Sequence, residues 1–211
     1  MKVVKGNKIE ELGAAEFEKL ASEFEKVVVD LGTGDGKFVY KNALENPKTL
    51  FVGVDPAKHQ MGTSSKKANR KKLNNALFVI GSLEQLPEEL LDWGHASALY
   101  INYPWGTLLQ AIAKPTDAVL ETLSGLLETS GKLEIIFGYE QEKEPGETQR
   151  LELPELTQEY IEENIIKTFE QKFFKLEKWG KIAENTSWGR RLGVKNNKRE
   201  FFKLCFIKPQ T

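Results

Sequence analysis

A short run of β-branched residues that ends in a glycine-rich turn constrains the fold of this chain more than any other feature. Residues 27–29 are valines, and they lead directly into the string Asp30-Leu31-Gly32-Thr33-Gly34-Asp35-Gly36. Valine favours a buried strand, and glycine accepts the left-handed backbone of a tight turn and lets the chain approach a ligand closely. A strand, a glycine turn and a following helix together indicate the first unit of a nucleotide-binding α/β fold.

Strands and helices alternate along the first two thirds of the sequence. Strands are predicted at residues 27–31, 49–54, 76–80, 96–103 and 133–137, and helices at residues 38–44, 58–72 and 117–127. This alternation is typical of a parallel sheet with helices packed on both faces. No domain boundary is visible, so residues 1–211 are predicted to form a single domain.

Both ends of the chain depart from the alternation. Residues 1–12 contain the turn Lys5-Gly6-Asn7-Lys8 and are predicted to form a small N-terminal hairpin. Residues 140–175 are interpreted as an inserted charged loop and helix, and two closing strands are predicted at residues 176–183 and 200–207. We therefore expect a Rossmann-like α/β fold whose sheet is mostly parallel and has seven strands.

The composition excludes several kinds of functional site. The 211 residues contain 30 Lys and Arg against 31 Asp and Glu, which excludes a uniformly basic nucleic-acid binder. One cysteine excludes an internal disulfide framework and a Cys-rich zinc site, and His59 and His95 are too few for a His-dominated metal site. No apolar run approaches the ~18 residues of a membrane span. We expect a cytoplasmic protein without a metal.

The spacing of the glycines indicates which nucleotide the turn binds. It is G-x-G-x-G rather than the dinucleotide pattern G-x-G-x-x-G, and Asp55 closes the second strand, where an acidic residue can accept hydrogen bonds from ribose hydroxyls. A ligand with a ribose but no pyrophosphate, such as S-adenosylmethionine, fits better than NAD, and Asp30 and Asp35 could bind its ammonium group. The pattern predicts a class I S-adenosylmethionine-dependent methyltransferase fold. The alternative is a glycine turn that binds no ligand.

Two of the four tryptophans lie where a nucleobase could be bound. Trp105 belongs to the string Asn102-Tyr103-Pro104-Trp105-Gly106-Thr107 at the end of the fourth strand, and Trp188 lies among polar and basic residues. Two tryptophans in loops could hold an unstacked base between them, each face contributing ~1–3 kcal/mol. Trp93 and Trp179 lie within or beside apolar patterns and are expected to be packing residues.

Charge is segregated along the chain. Residues 64–72 contain five basic residues and no acidic one, and residues 188–203 contain six basic residues against Glu200 alone. Residues 140–163 contain nine glutamates and only two basic residues. Basic clusters bind phosphates largely through counterion release, so this pattern favours a phosphate-rich partner.

Four motifs together carry a family resemblance. They are Asp30–Gly36, Asp55-Pro56, Tyr103-Pro-Trp-Gly-Thr-Leu-Leu109, and Trp188-Gly-Arg-Arg-Leu192 followed by Phe201-Phe202. In this order they resemble the kanamycin–apramycin resistance methyltransferases, which are the 16S rRNA (adenine-1408-N1)-methyltransferases. The resemblance extends over nearly the whole chain.

The resemblance implies a donor, a substrate and a set of site residues. S-adenosylmethionine would be the donor and the assembled 30S subunit the substrate, with the adenine of helix 44 flipped and stacked between Trp105 and Trp188, beside Tyr103 and Pro104. The implied cofactor-binding residues are Asp30, Gly32, Thr33, Gly34, Asp35, Gly36, Asp55, Leu83, Glu84 and Thr107. The implied RNA-binding residues are Lys66, Lys67, Arg70, Lys71, Arg190, Arg191, Lys198 and Arg199. The outcome would be aminoglycoside resistance.

The implied reaction needs no general base, because adenine N1 is unprotonated at pH 7 and has an in-plane lone pair. Catalysis would consist of positioning, and the indole faces would stabilise the cationic product. A monomer would suffice. Two other interpretations remain open: a methyltransferase that acts on tRNA or on a small molecule, and a non-catalytic RNA-binding module with a Rossmann-like fold.

Overall fold

The computed structural model describes residues 1–91, 93–182 and 199–210, which form one mixed sheet with helices on both sides. The strands are β1 (Lys2–Lys5), β2 (Lys8–Glu11), β3 (Lys26–Leu31), β4 (Thr49–Asp55), β5 (Ala76–Ile80), β6 (Ala96–Asn102), β7 (Leu127–Phe137), β8 (Lys175–Ile182) and β9 (Phe201–Ile207). The helices are α1 (Ala14–Ser22), α2 (Lys37–Glu45), α3 (Lys58–Arg70), α4 (Gly106–Ala113), α5 (Asp117–Leu126), α6 (Pro145–Arg150), α7 (Gln158–Tyr160) and α8 (Lys167–Glu170). A π-helical segment (Ile161–Ile166) joins α7 directly to α8.

The sheet order is β2-β1-β5-β4-β3-β6-β7-β9-β8. The five central strands, in the sheet order β5-β4-β3-β6-β7, pair in parallel. The two strands at each end of the sheet pair antiparallel with their neighbours. The predicted α/β fold is confirmed, and the predicted sheet of seven mostly parallel strands is matched only roughly. The described part of the sheet has nine strands because the N-terminal hairpin joins it, with Val3 opposite Val79 of β5.

The central strands are buried on both faces because successive side chains point to opposite sides of a sheet. In β3, Val28 belongs to a cluster with Val39 of α2 and Met61 of α3. Val29 points the other way, into the larger core that contains α4 and α5. This two-sided burial explains why β3 and β4 appear as continuous apolar runs in the sequence.

The segment between β7 and β8 differs most from the predicted elements. A charged loop and a helix were expected over residues 140–175. The region instead contains α6 and a later helical backbone that begins at Gln158 and ends at Glu170. Its middle turn is π-helical and turns Ile161 and Ile165 into the core. The structure also contains α1, α4 and α6, which the sequence pattern did not predict. Among the described residues, no helix has the length and apolar character needed to cross a membrane.

Candidate cofactor and substrate site

The glycine turn lies at the carboxyl end of β3. At this strand the order of the strands reverses, because the chain adds β4 and β5 on one side of β3 and later adds β6 and β7 on the other. β3 pairs with β4 on one side and β6 on the other, and ligands of open α/β sheets bind at such a switch point. Gly32 and Gly36 have φ angles of +76° and +68°. A Cβ atom on Gly32 would lie 2.6 Å from Leu108 Cδ2, and one on Gly36 would lie 2.6 Å from Phe78 Cε1. The positive φ angles strain any other residue at either position, and at Gly36 the Phe78 ring would also have to move.

Asp30 is a buried carboxylate at the base of this turn. Burial raises its pKa to about 6, against the opposing effect of the nearby Thr33 hydroxyl and the Asn102 amide. Asn102 Nδ2 donates to Asp30 Oδ1 at 3.2 Å. Within the described part of the chain, no lysine or arginine forms a salt bridge with Asp30. A cationic ligand group would supply the missing countercharge.

Asp55 holds the neighbouring loops in place. Its Oδ2 atom accepts a hydrogen bond from the Gly34 amide at 2.9 Å, and its Oδ1 atom accepts one from the Ala57 amide at 2.7 Å. The amides of Gly32 and Thr33 donate to the Val54 carbonyl at 2.8 and 3.1 Å. The end of β4 therefore fixes the turn that follows β3, and each Asp55 oxygen keeps a further lone pair for hydroxyl donors.

Asp35 has partners of its own. Its Oδ1 atom accepts from the Lys37 amide at 3.1 Å, and its carboxylate pairs with the Lys37 ammonium. The Asp35 carbonyl accepts from the Ser64 hydroxyl at 2.5 Å, which ties α3 to the turn. Of the two carboxylates expected to bind an ammonium group, Asp30 is thus the better suited.

A third loop completes this side of the crevice. Leu83 is buried, and Glu84 is exposed next to Thr107 at the start of α4. Burial by itself would raise the pKa of Glu84, but hydrogen bonds from the Thr107 hydroxyl, from its own amide and from Ser82 lower that pKa overall. Two residues that are 23 positions apart in the sequence therefore meet across the crevice.

These residues fit S-adenosylmethionine. The buried Asp30 carboxylate can bind an ammonium group, Asp55 can accept from ribose hydroxyls, and the glycine turn leaves no side chain between them. The predicted residues on β3, β4 and the loop after β5 are brought to the same edge of the sheet. The residue that the sequence analysis missed is Asn102, whose only signal was its position at the end of the fourth strand.

The substrate rim contains an unusual backbone conformation. Tyr103 has a φ angle of +52°, and its amide donates to the Ile136 carbonyl at 2.7 Å. Its ring packs edge-on against Phe201 with the centroids 4.9 Å apart. Non-glycine residues in this region cost ~1–3 kcal/mol, and such strain concentrates at functional sites. Trp105 follows two positions later and is 45% exposed, although it is a large apolar side chain.

Trp188 and the predicted RNA-binding residues fall into three groups, the third of which is Arg199 alone. Trp188, Arg190, Arg191 and Lys198 lie outside the described residues. Lys66, Arg70 and Lys71 are exposed at the end of α3, and Lys67 is half-buried. Arg70 lies six residues beyond Ser64, about 9 Å along the helix axis, so this cluster is close to the glycine turn.

Arg199 does not fit its expected role. Its side chain is only 3% exposed and forms an ion pair with Glu144, which is 10% exposed. The guanidinium also lies over the Phe201 ring, 5.9 Å from its centroid. A buried, paired guanidinium is not available to an RNA phosphate, so we do not include Arg199 in the proposed interface.

Comparisons with known proteins agree with this geometry. The family described as NpmA, 16S rRNA (adenine(1408)-N(1))-methyltransferase, matches residues 2–206. The 16S rRNA (adenine(1408)-N(1))-methyltransferase of Escherichia coli is 31% identical over 97% of both chains. The crystal structure of a 30S ribosomal A1408 methyltransferase from an uncultured bacterium is 37% identical, with a TM-score of 0.77 over 99% of this chain and 100% of that one.

A further solved structure includes the donor. It is a mutant of the 16S rRNA (adenine(1408)-N(1))-methyltransferase from Catenulisporales acidiphilia with the cosubstrate SAM, 28% identical, with a TM-score of 0.85 over 100% of this chain and 97% of that one. The similarity to these proteins, in sequence and in fold, therefore extends over nearly the full length of the chain. The protein belongs to the NpmA family of 16S rRNA (adenine(1408)-N(1))-methyltransferases.

Proposed function

We propose that this protein transfers a methyl group from S-adenosylmethionine to N1 of adenine 1408 of 16S rRNA and thereby confers aminoglycoside resistance. The observation that carries the proposal is the juxtaposition of the buried Asp30 carboxylate, which forms no salt bridge within the described residues, with a rim that exposes Trp105. Family membership favours this reaction over a tRNA or small-molecule methyltransferase and over a non-catalytic module.

S-adenosylmethionine, when bound, supplies an electrophilic methyl group on a sulfonium. Asp30 would bind the ammonium group, and Asp55 would accept hydrogen bonds from the ribose. Gly32, Thr33, Gly34, Asp35 and Gly36 would line the turn, and Leu83, Glu84 and Thr107 would close the other side. The Asp30 and Asp55 carboxylates are already held by the hydrogen bonds described above, so they need little reorganisation when the donor binds.

Adenine N1 needs no base to remove a proton, so the protein's contribution to the reaction is orientation. Trp105 would stack on one face of the flipped base, and Trp188 is proposed to cover the other face. The carbonyls near Tyr103 and Pro104 would accept from the exocyclic amine. Since the methylated base is a cation, the electron-rich indole faces would also favour the product charge.

The proposed partner is the 30S subunit, contacted at helix 44 by one protein monomer in the cytoplasm. The exposed cations of α3 support this proposal, because they lie beside the cofactor turn and can bind phosphates without reading sequence. Arg190, Arg191 and Lys198 are proposed to contact the distorted backbone near the target. We propose that no metal ion takes part.

Methylation of purified 30S subunits with labelled S-adenosylmethionine tests the proposal, with naked 16S rRNA, tRNA and 50S subunits as comparators. Because an N1 methyl group blocks Watson–Crick pairing, primer extension should stop once, at adenine 1408, and only with the 30S substrate. Labelled tRNA, or no label in any RNA despite donor binding by calorimetry, would refute the proposed reaction.

A further inference from the structure

The N-terminal hairpin is fixed against α3. Ser65 of α3 is buried, and its hydroxyl accepts from the Gly6 amide at 2.7 Å and donates to the Val4 carbonyl at 2.7 Å. β1 also pairs with β5 of the main sheet. The loop that joins β1 to β2 therefore has a defined position beside the basic end of α3.

A groove of roughly 650 Å³ lies between the hairpin loop and α3. Lys5 and Lys8 line it from the hairpin, and Lys66 and Arg70 line it from α3. All four side chains are exposed. The acidic residue that lines the groove is Glu10, which pairs with Lys5 at 3.1 Å. Four positive charges thus face one negative charge across a surface that is open to solvent.

The hairpin places two of these charges unfavourably for its own stability. Lys5 and Lys8 are directly opposite each other in the antiparallel register, where like charges repel. An anion bound between them would remove this repulsion. The lining residues are cationic and polar, without an aromatic side chain among them, so the groove suits a phosphate rather than a base.

We propose that the hairpin is a second wall of the RNA interface, and that this groove binds backbone phosphates of the rRNA between Lys5 and Lys8 on one side and Lys66 and Arg70 on the other. The inference deepens the proposed function and rests on it. It adds residues from the first 12 positions to a surface that was expected only at residues 66–71 and 190–199.

The test compares 30S affinity of the full-length wild type with that of the double variant Lys5→Ala/Lys8→Ala over a series of KCl concentrations. Each lost phosphate contact lowers affinity by roughly tenfold at ~0.1 M salt and reduces the slope of log K against log[salt] by about one. Because Lys5 also pairs with Glu10, it contributes less than a full phosphate contact. We therefore expect the double variant to lose affinity by tenfold or more and to have a slope of log K against log[salt] that is lower by one to two. S-adenosylmethionine binding by calorimetry should not change.

Two further variants separate this role from a structural one. Glu10→Gln removes the competing carboxylate and should tighten 30S binding several-fold, the opposite of the lysine variant. Lys175→Ala/Lys178→Ala removes two exposed charges from β8, at the far edge of the sheet, and is the matched control that should leave affinity unchanged.

Equal affinity and equal salt slope for the wild type and Lys5→Ala/Lys8→Ala would overturn the inference, and so would an equal loss in the control. The proposed function would still stand if the wild type methylates adenine 1408. If the wild type neither binds nor methylates 30S subunits, the proposed function itself fails. The two failures are therefore distinguishable in one set of measurements.

Discussion

Replacing Asp30 with asparagine tests whether the buried carboxylate is kept for a cationic ligand. Burial raises the pKa of Asp30 from its ordinary value of 3.8 to about 6. A difference of this size corresponds to ~3 kcal/mol of preference for the neutral form. In the ligand-free protein at pH 7, the folded state therefore carries the cost of a desolvated anion, and asparagine removes that cost while keeping a similar shape.

The pH dependence of this effect has a defined sign. The folded pKa lies above the unfolded value, so the folded state holds the proton more tightly. The stabilising contribution of Asp30 is fully present below about pH 4 and is lost as the pH rises through about 6. Asp30→Asn should thus raise the free energy of unfolding at pH 7 by up to ~3 kcal/mol relative to the wild type, and this gain should shrink toward pH 4.

The same substitution should weaken S-adenosylmethionine binding, because the ammonium group loses its countercharge. Wild-type affinity should increase as the pH rises through about 6, and the Asp30→Asn variant should lose this dependence. Denaturant unfolding at pH 4.5 and 7 and calorimetric titration provide the two readouts.

Asp35→Asn is the matched control for stability, because its half-exposed carboxylate pairs with Lys37 and its loss should not stabilise the protein. The reasoning fails if Asp30→Asn is destabilised at both pH values, or if it binds the donor as tightly as the wild type does.

Three other substitutions test separate parts of the site. Trp105→Ala should lower 30S methylation by roughly 5- to 150-fold, the equivalent of ~1–3 kcal/mol of stacking, with donor binding unchanged in calorimetry; Trp105→Phe should recover part of the rate. Gly36→Ala puts a Cβ atom 2.6 Å from Phe78 at a φ of +68° and should lower the free energy of unfolding by ~1–3 kcal/mol and weaken donor binding, and wild-type behaviour would contradict this geometry of the turn. Glu144→Gln leaves the Arg199 guanidinium buried without its countercharge and should cost ~3–5 kcal/mol in denaturant unfolding. An apolar pair, Glu144→Leu with Arg199→Met, should restore most of that loss.

The sequence predicts the parallel centre of the sheet well, because strands buried on both faces appear as uninterrupted apolar runs. The bounds of β5 are those predicted, and β3 and β4 differ from prediction by a single residue at an end. Strand pairings between segments that are distant in the sequence could not be predicted, since no local pattern encodes them. The contact of Val3 with Val79, which adds the hairpin to the sheet, depends on tertiary packing.

Arg199 shows the same limit within the candidate site. Its neighbours in the sequence are basic and polar, and this context predicts a solvent-exposed phosphate ligand. Its partner Glu144 lies 55 positions away. Burial of the pair is decided by how the segment after β7 packs against the start of β9, which composition cannot reveal. The role of Asn102 could not be predicted either, because its hydrogen bond to Asp30 joins two strands that are far apart in the sequence.

The near-neutral total charge is compatible with an RNA substrate because the acidic and basic residues are used differently. Several glutamates of residues 140–163 form ion pairs: Glu140 with Lys143, Glu147 with Arg150, Glu163 with Lys167, and Glu144 with Arg199. Lys66 and Arg70, by contrast, form no salt bridge within the described part of the chain. The field that steers a polyanion depends on unneutralised charge and its position, and the net charge of −1 measures neither. A protein of this composition can therefore present a cationic groove beside its cofactor turn while the whole molecule remains slightly acidic.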